Sequence, residues 1–285
     1  MRLFLPAGAV AVPAGWSSGC SCRLEFRLYL PSPNRTALGP RVHSSRSGPG
    51  NGPRPVPEDR GWPAEGECRY GLYPPRDGHS YCGRLRGGEI PPAWYQAPVF
   101  YFSNPASIHG PGEPVRRPDA TEMLDFELEI AAVIGAGGEL AGFTLMNDWS
   151  ARDVQAAETT VRLGPHKAKD FATSLGPWLV APDELPYEDG RLRVEASVSV
   201  NGVEVTRTSA AEQHFAWPEL VAHAARDTRL RPGDVLGSGT LAKGCLLELG
   251  PQDLGDGRGE RFIEPGDVVA LSAEGLGRLE TPVVA

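Results

Sequence analysis

Four short stretches of this 285-residue chain carry side chains whose types and spacing could do chemistry. The first is Leu124-Asp-Phe-Glu127-Leu-Glu129, where apolar and acidic residues alternate. In a strand, residues two apart share a face, so the glutamates would stand about 7 Å apart at the backbone and could converge on one cation. The plainer alternative is a solvated face, since alternating acids usually mark the wet side of a half-covered sheet. The second stretch is Asn147-Asp148-Trp-Ser-Ala-Arg152-Asp153. A carboxylate from Asp148 would complete an oxygen-rich set suited to Mg²⁺ or a similar hard divalent ion. Its alternative is structural, with Asp148 capping the next turn or helix and Arg152–Asp153 forming a surface pair.

The third stretch, Gly164 to Trp178, holds Lys167 and Lys169, two of the three lysines in a chain with 25 arginines. That concentration points to a lysine in use: a compact ammonium can stabilise an enolate or oxyanion beside a metal. Lys167 reads as an ordinary solvated residue. The fourth, Pro232-Gly-Asp-Val-Leu-Gly237-Ser-Gly239-Thr240, joins a turn to a glycine loop. Gly237 and Gly239 permit close backbone approach to a small anion, and the Thr240 hydroxyl could donate to it. The spacing matches neither a Walker nor a dinucleotide fingerprint, and out of context the stretch is simply a turn.

The elements that must position these groups are mostly strands. Val99-Phe-Tyr-Phe reads as a buried strand, and Leu124 to Ile134 as a half-buried strand running into a core. Gly142 to Asp148 reads as another strand, and Ser150 to Glu158 opens with a Ser-and-acid pattern suited to a short helix. Asn201-Gly202 between two apolar-alternating runs predicts a hairpin. Trp217 to Arg226 has helical spacing, and Pro265 to Leu271 and Leu279 to Val284 read as closing strands. The expected fold class is mainly β with a few helices.

Composition narrows the class. With 40% hydrophobic residues and a mean hydropathy of −0.28, the chain is that of a soluble globular protein, not a collagen or a coiled coil. No run approaches the roughly 18 apolar residues of a membrane span, which argues against a membrane protein. A net charge of −8 argues against a general nucleic-acid partner. Residues 1–90 carry +5 and residues 91–285 carry −13. Residues 1–88, rich in Arg, Pro, Gly and Ser, read as largely irregular or disordered, or as GC-rich DNA translated in the wrong frame; residues 89–285 read as one catalytic domain. Cys20 and Cys22 with His79 and Cys82 are too irregularly spaced for a zinc site, and a lone Cys245 in the second part suits a cytoplasmic, reducing location. The apolar start of the chain is broken by two prolines and reads against a secretory signal.

Taken together and in order, the motifs resemble those of the fumarylacetoacetate hydrolase family. They are Leu-Asp-Phe-Glu127-Leu-Glu129, Met146-Asn-Asp148-Trp-Ser-Ala-Arg152-Asp-Val-Gln155, Lys169-Asp-Phe-Ala-Thr173-Ser-Leu-Gly-Pro-Trp178 and Gly237-Ser-Gly-Thr240, with Pro98-Val-Phe-Tyr101 and Pro114-Val-Arg-Arg-Pro118 ahead of them. The resemblance covers about residues 91–285. It implies a mixed β-roll/β-sandwich catalytic domain, preceded here by a poorly patterned segment, and a homodimer. It implies a divalent metal, Mg²⁺ or else Mn²⁺ or Ca²⁺, held by Glu127, Glu129, Asp148 and Thr173. Lys169 is then catalytic, and Tyr101, Arg152, Gln155 and Thr240 face the substrate. The implied activity is hydrolysis of a carbon–carbon bond in a 1,3-diketo acid, as in the breakdown of aromatic compounds. The same site could serve enol–keto isomerisation or decarboxylation of a 2-oxo dicarboxylic acid, and a third reading is an inactive small-ligand binding protein. Two departures stand out. His79 lies near where the family places a base, yet Leu72 or Gly71 stands where an Asp belongs, and Ala156-Ala-Glu158-Thr159 lacks an expected tyrosine.

Overall fold

The structure, a computed structural model, describes residues 95–161 and 164–285, together with the backbone of four short strands, Arg2–Phe4, Val12–Pro13, Phe26–Arg27 and Cys68–Gly71. His79, the early cysteine side chains and the remainder of the segment expected to be irregular lie outside the described residues. The principal elements are, in chain order, β1 (Phe100–Phe102), β2 (Val115–Arg116), β3 (Leu124–Asp125), β4 (Leu128–Ile134), β5 (Leu140–Asp148), β6 (Ser150–Ala151), α1 (Arg152–Thr159), β7 (Thr173–Val180), β8 (Glu195–Val200), β9 (Val203–Ser209), α2 (Trp217–Ala225), β10 (Val235–Gly237), α3 (Leu246–Leu249), β11 (Val268–Ala273) and β12 (Gly277–Val284). Strands outnumber helices, as the patterning predicts.

Two mixed sheets carry the fold. The larger has the order Arg2–Phe4, β7, β5, β4, β10, Cys68–Gly71, β1, with Ile108–His109 running parallel beside β7. The smaller has the order β9, β8, β11, β12, β2, antiparallel except where β2 joins β12. One apolar core takes side chains from both: Leu128, Ile130, Phe143 and Leu145 from the first, Val198, Val200, Leu271 and Leu279 from the second. Burying each such side chain contributes about 1.5–3 kcal/mol, so strands β4 and β5 are firmly placed.

The predicted hairpin is β8–β9. Asn201 and Gly202 both have positive φ, 53° and 84°, as a two-residue primed turn requires. Three expectations need correction. The aromatic run at Val99 is not buried: β1 lies at the end of the sheet order, and Phe102 is 59% exposed. The stretch 124–134 is not one half-wet strand. It breaks between Asp125 and Leu128, where the Asn147 side chain accepts from the Glu127 amide at 2.9 Å, and every residue in it is buried. Residues 238–244 close over it through backbone bonds to Leu128 and Ile130. Finally, Ser150 does not cap α1. Its hydroxyl donates to the Asp148 carbonyl, and Ala151 occupies the cap position.

Candidate active site

Register explains how the acids meet. Glu129 on β4 pairs with Met146 on the antiparallel β5, so Asp148, two residues further on, shares that face. On the other side of β5, Asp148 pairs with Thr173 of β7, which is also buried. Glu127, Glu129 and Asp148 each offer an oxygen within 4.8 Å of the other two, and all three are buried. The solvated-face alternative is thereby excluded.

Two cations enter this cluster. The Lys169 ammonium lies 2.7 Å from Glu127 Oε2 and 2.7 Å from Asp148 Oδ2. Arg152, the first residue of α1, donates through Nη1 to Glu127 Oε1 (2.8 Å) and Gln155 Oε1 (3.1 Å), and through Nε to Asp125 Oδ2 (2.7 Å). Arg152 thus pairs inward, not with Asp153 on the surface. The Tyr101 hydroxyl donates to Asp148 Oδ2, and the Gly239 amide donates to Glu129 Oε2 at 3.1 Å. Thr240 is half-buried and packs its methyl against Gly244; in this loop it is the Gly239 amide that reaches the acids. Lys167 is a surface residue paired with Asp170, as expected.

Four buried carboxyls, counting Asp125, therefore face two cations, and the imbalance shows in their ionisation. Burial pushes Glu127 up, but Lys169 and Arg152 outweigh it and hold the carboxyl down at about 2. Burial pushes Asp148 up to about 6, with Lys169 opposing and Glu127 assisting. Burial, then the charges of Asp148 and Glu127, drive Glu129 well above the usual carboxylate range. Burial disfavours the Lys169 ammonium, yet Asp148 and Glu127 keep it above the ordinary lysine range.

Glu129 Oε1 and Asp148 Oδ1 are buried with no hydrogen-bond partner. Unpaired carboxylate oxygens are costly in such surroundings, and hard oxygen donors in an excess of negative charge are what a divalent cation takes. The residues fit such an ion. Asp125 is a further member of the cluster that the motif spacing does not mark. It is wholly buried and accepts from the Leu246 and Leu247 amides at 2.8 and 3.0 Å as well as from Arg152, which ties α1 to the start of α3. Its only trace in the sequence is its place in the alternating run.

A mixed β domain with a buried centre of acids and one lysine, set where adjacent strands end, defines the class of fold and site. The chain belongs to the fumarylacetoacetate hydrolase family: the Fumarylacetoacetate (FAA) hydrolase C-terminal domain matches residues 77–284. It is 34% identical over 257 residues to fumarylacetoacetase of Arabidopsis thaliana, covering 67% of this chain and 61% of that protein. Against fumarylacetoacetase of Oryza sativa subsp. japonica the identity is 33% over 258 residues, covering 67% and 60%. The chain thus spans about 60% of the length of these curated relatives. It is also similar to the crystal structure of 5-carboxymethyl-2-hydroxymuconate delta-isomerase from Mycobacterium smegmatis, with a TM-score of 0.56, 27% identity, and 77% of this chain and 78% of that one covered. Among the described residues no helix is long and apolar enough to cross a membrane.

Proposed function

We propose that this chain is a divalent-metal-dependent hydrolase that cleaves a carbon–carbon bond in a 1,3-diketo acid, an acylpyruvate or a fumarylacetoacetate-like compound, and works as a cytoplasmic homodimer. The observation that carries this reading is the pair of buried, unpartnered oxygens on Glu129 and Asp148 beside a charged lysine. Glu127, Glu129 and Asp148, with Thr173 beside them, would hold Mg²⁺, Mn²⁺ or Ca²⁺, which when bound polarises the substrate's oxygens as a Lewis acid. Lys169 keeps its proton and presents an ammonium where an enolate oxygen would develop as the bond breaks. Tyr101, Arg152, Gln155 and Thr240 supply a phenol, a guanidinium, a carboxamide and a hydroxyl, groups suited to the carboxylate and oxo oxygens of such an acid.

The test is turnover of short 2,4-dioxo acids in the presence of Mg²⁺, with a carboxylic acid plus pyruvate expected as products. A second reading, enol–keto isomerisation or decarboxylation of a 2-oxo dicarboxylic acid, requires an enolate but no attacking water; the likeness to a delta-isomerase favours it. A product of unchanged mass, or CO₂ from oxaloacetate, would establish that reading instead. No turnover, together with no calorimetric heat from Mg²⁺ or Mn²⁺, would leave a small-ligand binding protein.

A further inference from the structure

Residues 166–170 form one helical turn, in which the Lys169 and Asp170 amides donate to the His166 carbonyl at 3.2 and 3.1 Å. The amides that open this turn have no carbonyl partner within it, as at any helix start. All three are taken by one carboxylate, that of Glu158. The His166 amide donates to Oε2 at 2.8 Å, the Lys167 amide to Oε1 at 2.7 Å and the Ala168 amide to Oε2 at 3.4 Å. Glu158 lies in the last turn of α1, and the other end of that helix holds the same segment, because the Ala151 amide donates to the Ala168 carbonyl at 2.9 Å. The turn is thus pinned to both ends of α1, whose first residue, Arg152, contacts Glu127. From it the next side chain, Lys169, reaches Glu127 and Asp148.

We propose that Glu158 is a positioning residue for Lys169: by gathering three successive amides it fixes the turn that delivers the ammonium to the acids. The chemistry specifies a carboxylate. Two acceptor oxygens are shared among three donors, and the partial positive charge of exposed amides at the start of a turn favours an anion. Glutamine keeps one acceptor and turns the other towards the amides as a donor, and aspartate is shorter by one methylene. This role rests on the reading of Lys169 given under Proposed function.

The test is a double-mutant cycle on the full chain with Mg²⁺ and the acylpyruvate it turns over, supported by hydrogen exchange. E158A is expected to lower kcat about tenfold, as misplacement of a catalytic group does, with KM within about twofold and part of the rate restored in E158Q. K169A is expected to lower kcat about 10²–10³-fold, and E158A/K169A no further. Amides 166–168 should lose exchange protection in E158A and regain part of it in E158Q. An equal additional loss of rate in the K169A background, a change in KM alone, or unchanged protection would each overturn the proposal. Should E158A fail to fold, E158Q and E158D carry the same comparisons. If the chain turns over none of these acids, the functional reading fails separately, while exchange of 166–168 and the position of Lys169 Nζ in a crystal structure of E158Q still decide the clamp.

Discussion

Lys169 and Glu129 separate function from stability most sharply. If Lys169 holds developing charge, K169A lowers kcat by about 10²–10³ and leaves KM little changed, which steady-state kinetics on the preferred dioxo acid would read. A variant with normal turnover and a weak KM would make it a binding residue. Glu129 is different, since its Oε1 is buried without a partner and its ionisation is opposed by burial and by two neighbouring acids. E129Q should raise the melting temperature of the metal-free chain while abolishing the stabilisation given by Mg²⁺, the trade expected where a site is strained for use. Thermal unfolding with and without chelator measures both. Lys169 was legible because lysine is rare in this chain, and the acids because of their two-residue spacing. Glu158 was not, since its partners are the main-chain amides at 166–168, and Asp125 was not, since besides Arg152 it serves the amides at 246–247; an amide leaves no mark in a sequence.

At the scale of elements, what depends on neighbours along the chain was readable and what depends on distant segments was not. Asn201-Gly202 specifies its hairpin within a few residues. The burial of the acidic face of β4 comes instead from residues 238–244, more than 100 positions away. The end of that hairpin gives a pH prediction. Asp267 is buried and accepts from Arg261 Nη1 and Nη2 (2.6 and 2.8 Å), Asn201 Nδ2 (2.9 Å) and the Glu264 amide (2.8 Å). Burial opposes its charge, but these donors prevail and hold it below the usual carboxylate range. A depressed acid stabilises the fold at pH values above its unfolded pKa, and that stability is lost as pH falls through the folded value. D267N should therefore cost about 1.5–3 kcal/mol at pH 7, by removing the buried charge that Arg261 pairs with alongside Asp256. In urea titrations the gap to the natural chain should begin to narrow below about pH 3.8, the ordinary value for Asp, and close only as pH falls through the lower folded value.

Over the whole molecule, the two sheets share one core, and Phe143 of β5 lies in it, 5.1 Å from the Trp217 ring of α2 and 5.4 Å from that of Tyr187. F143A should lower stability by about 3–5 kcal/mol, and urea unfolding followed by Trp fluorescence and by circular dichroism should show coincident transitions. Separate transitions would mean that the sheets fold independently. The larger sheet also divides the labour of the site. Glu129 and Asp148 stand on the interior strands β4 and β5, whereas Tyr101 comes from the sheet's border and Thr240 from a glycine loop. Tyr101 at the border is only partly buried, whereas Ser238, Gly239 and Leu241 of the loop are buried like the inner strands. Tyr101 is accordingly the member of the proposed site whose replacement costs the packing least, and the proposed preference for one acid over another is expected to shift there first.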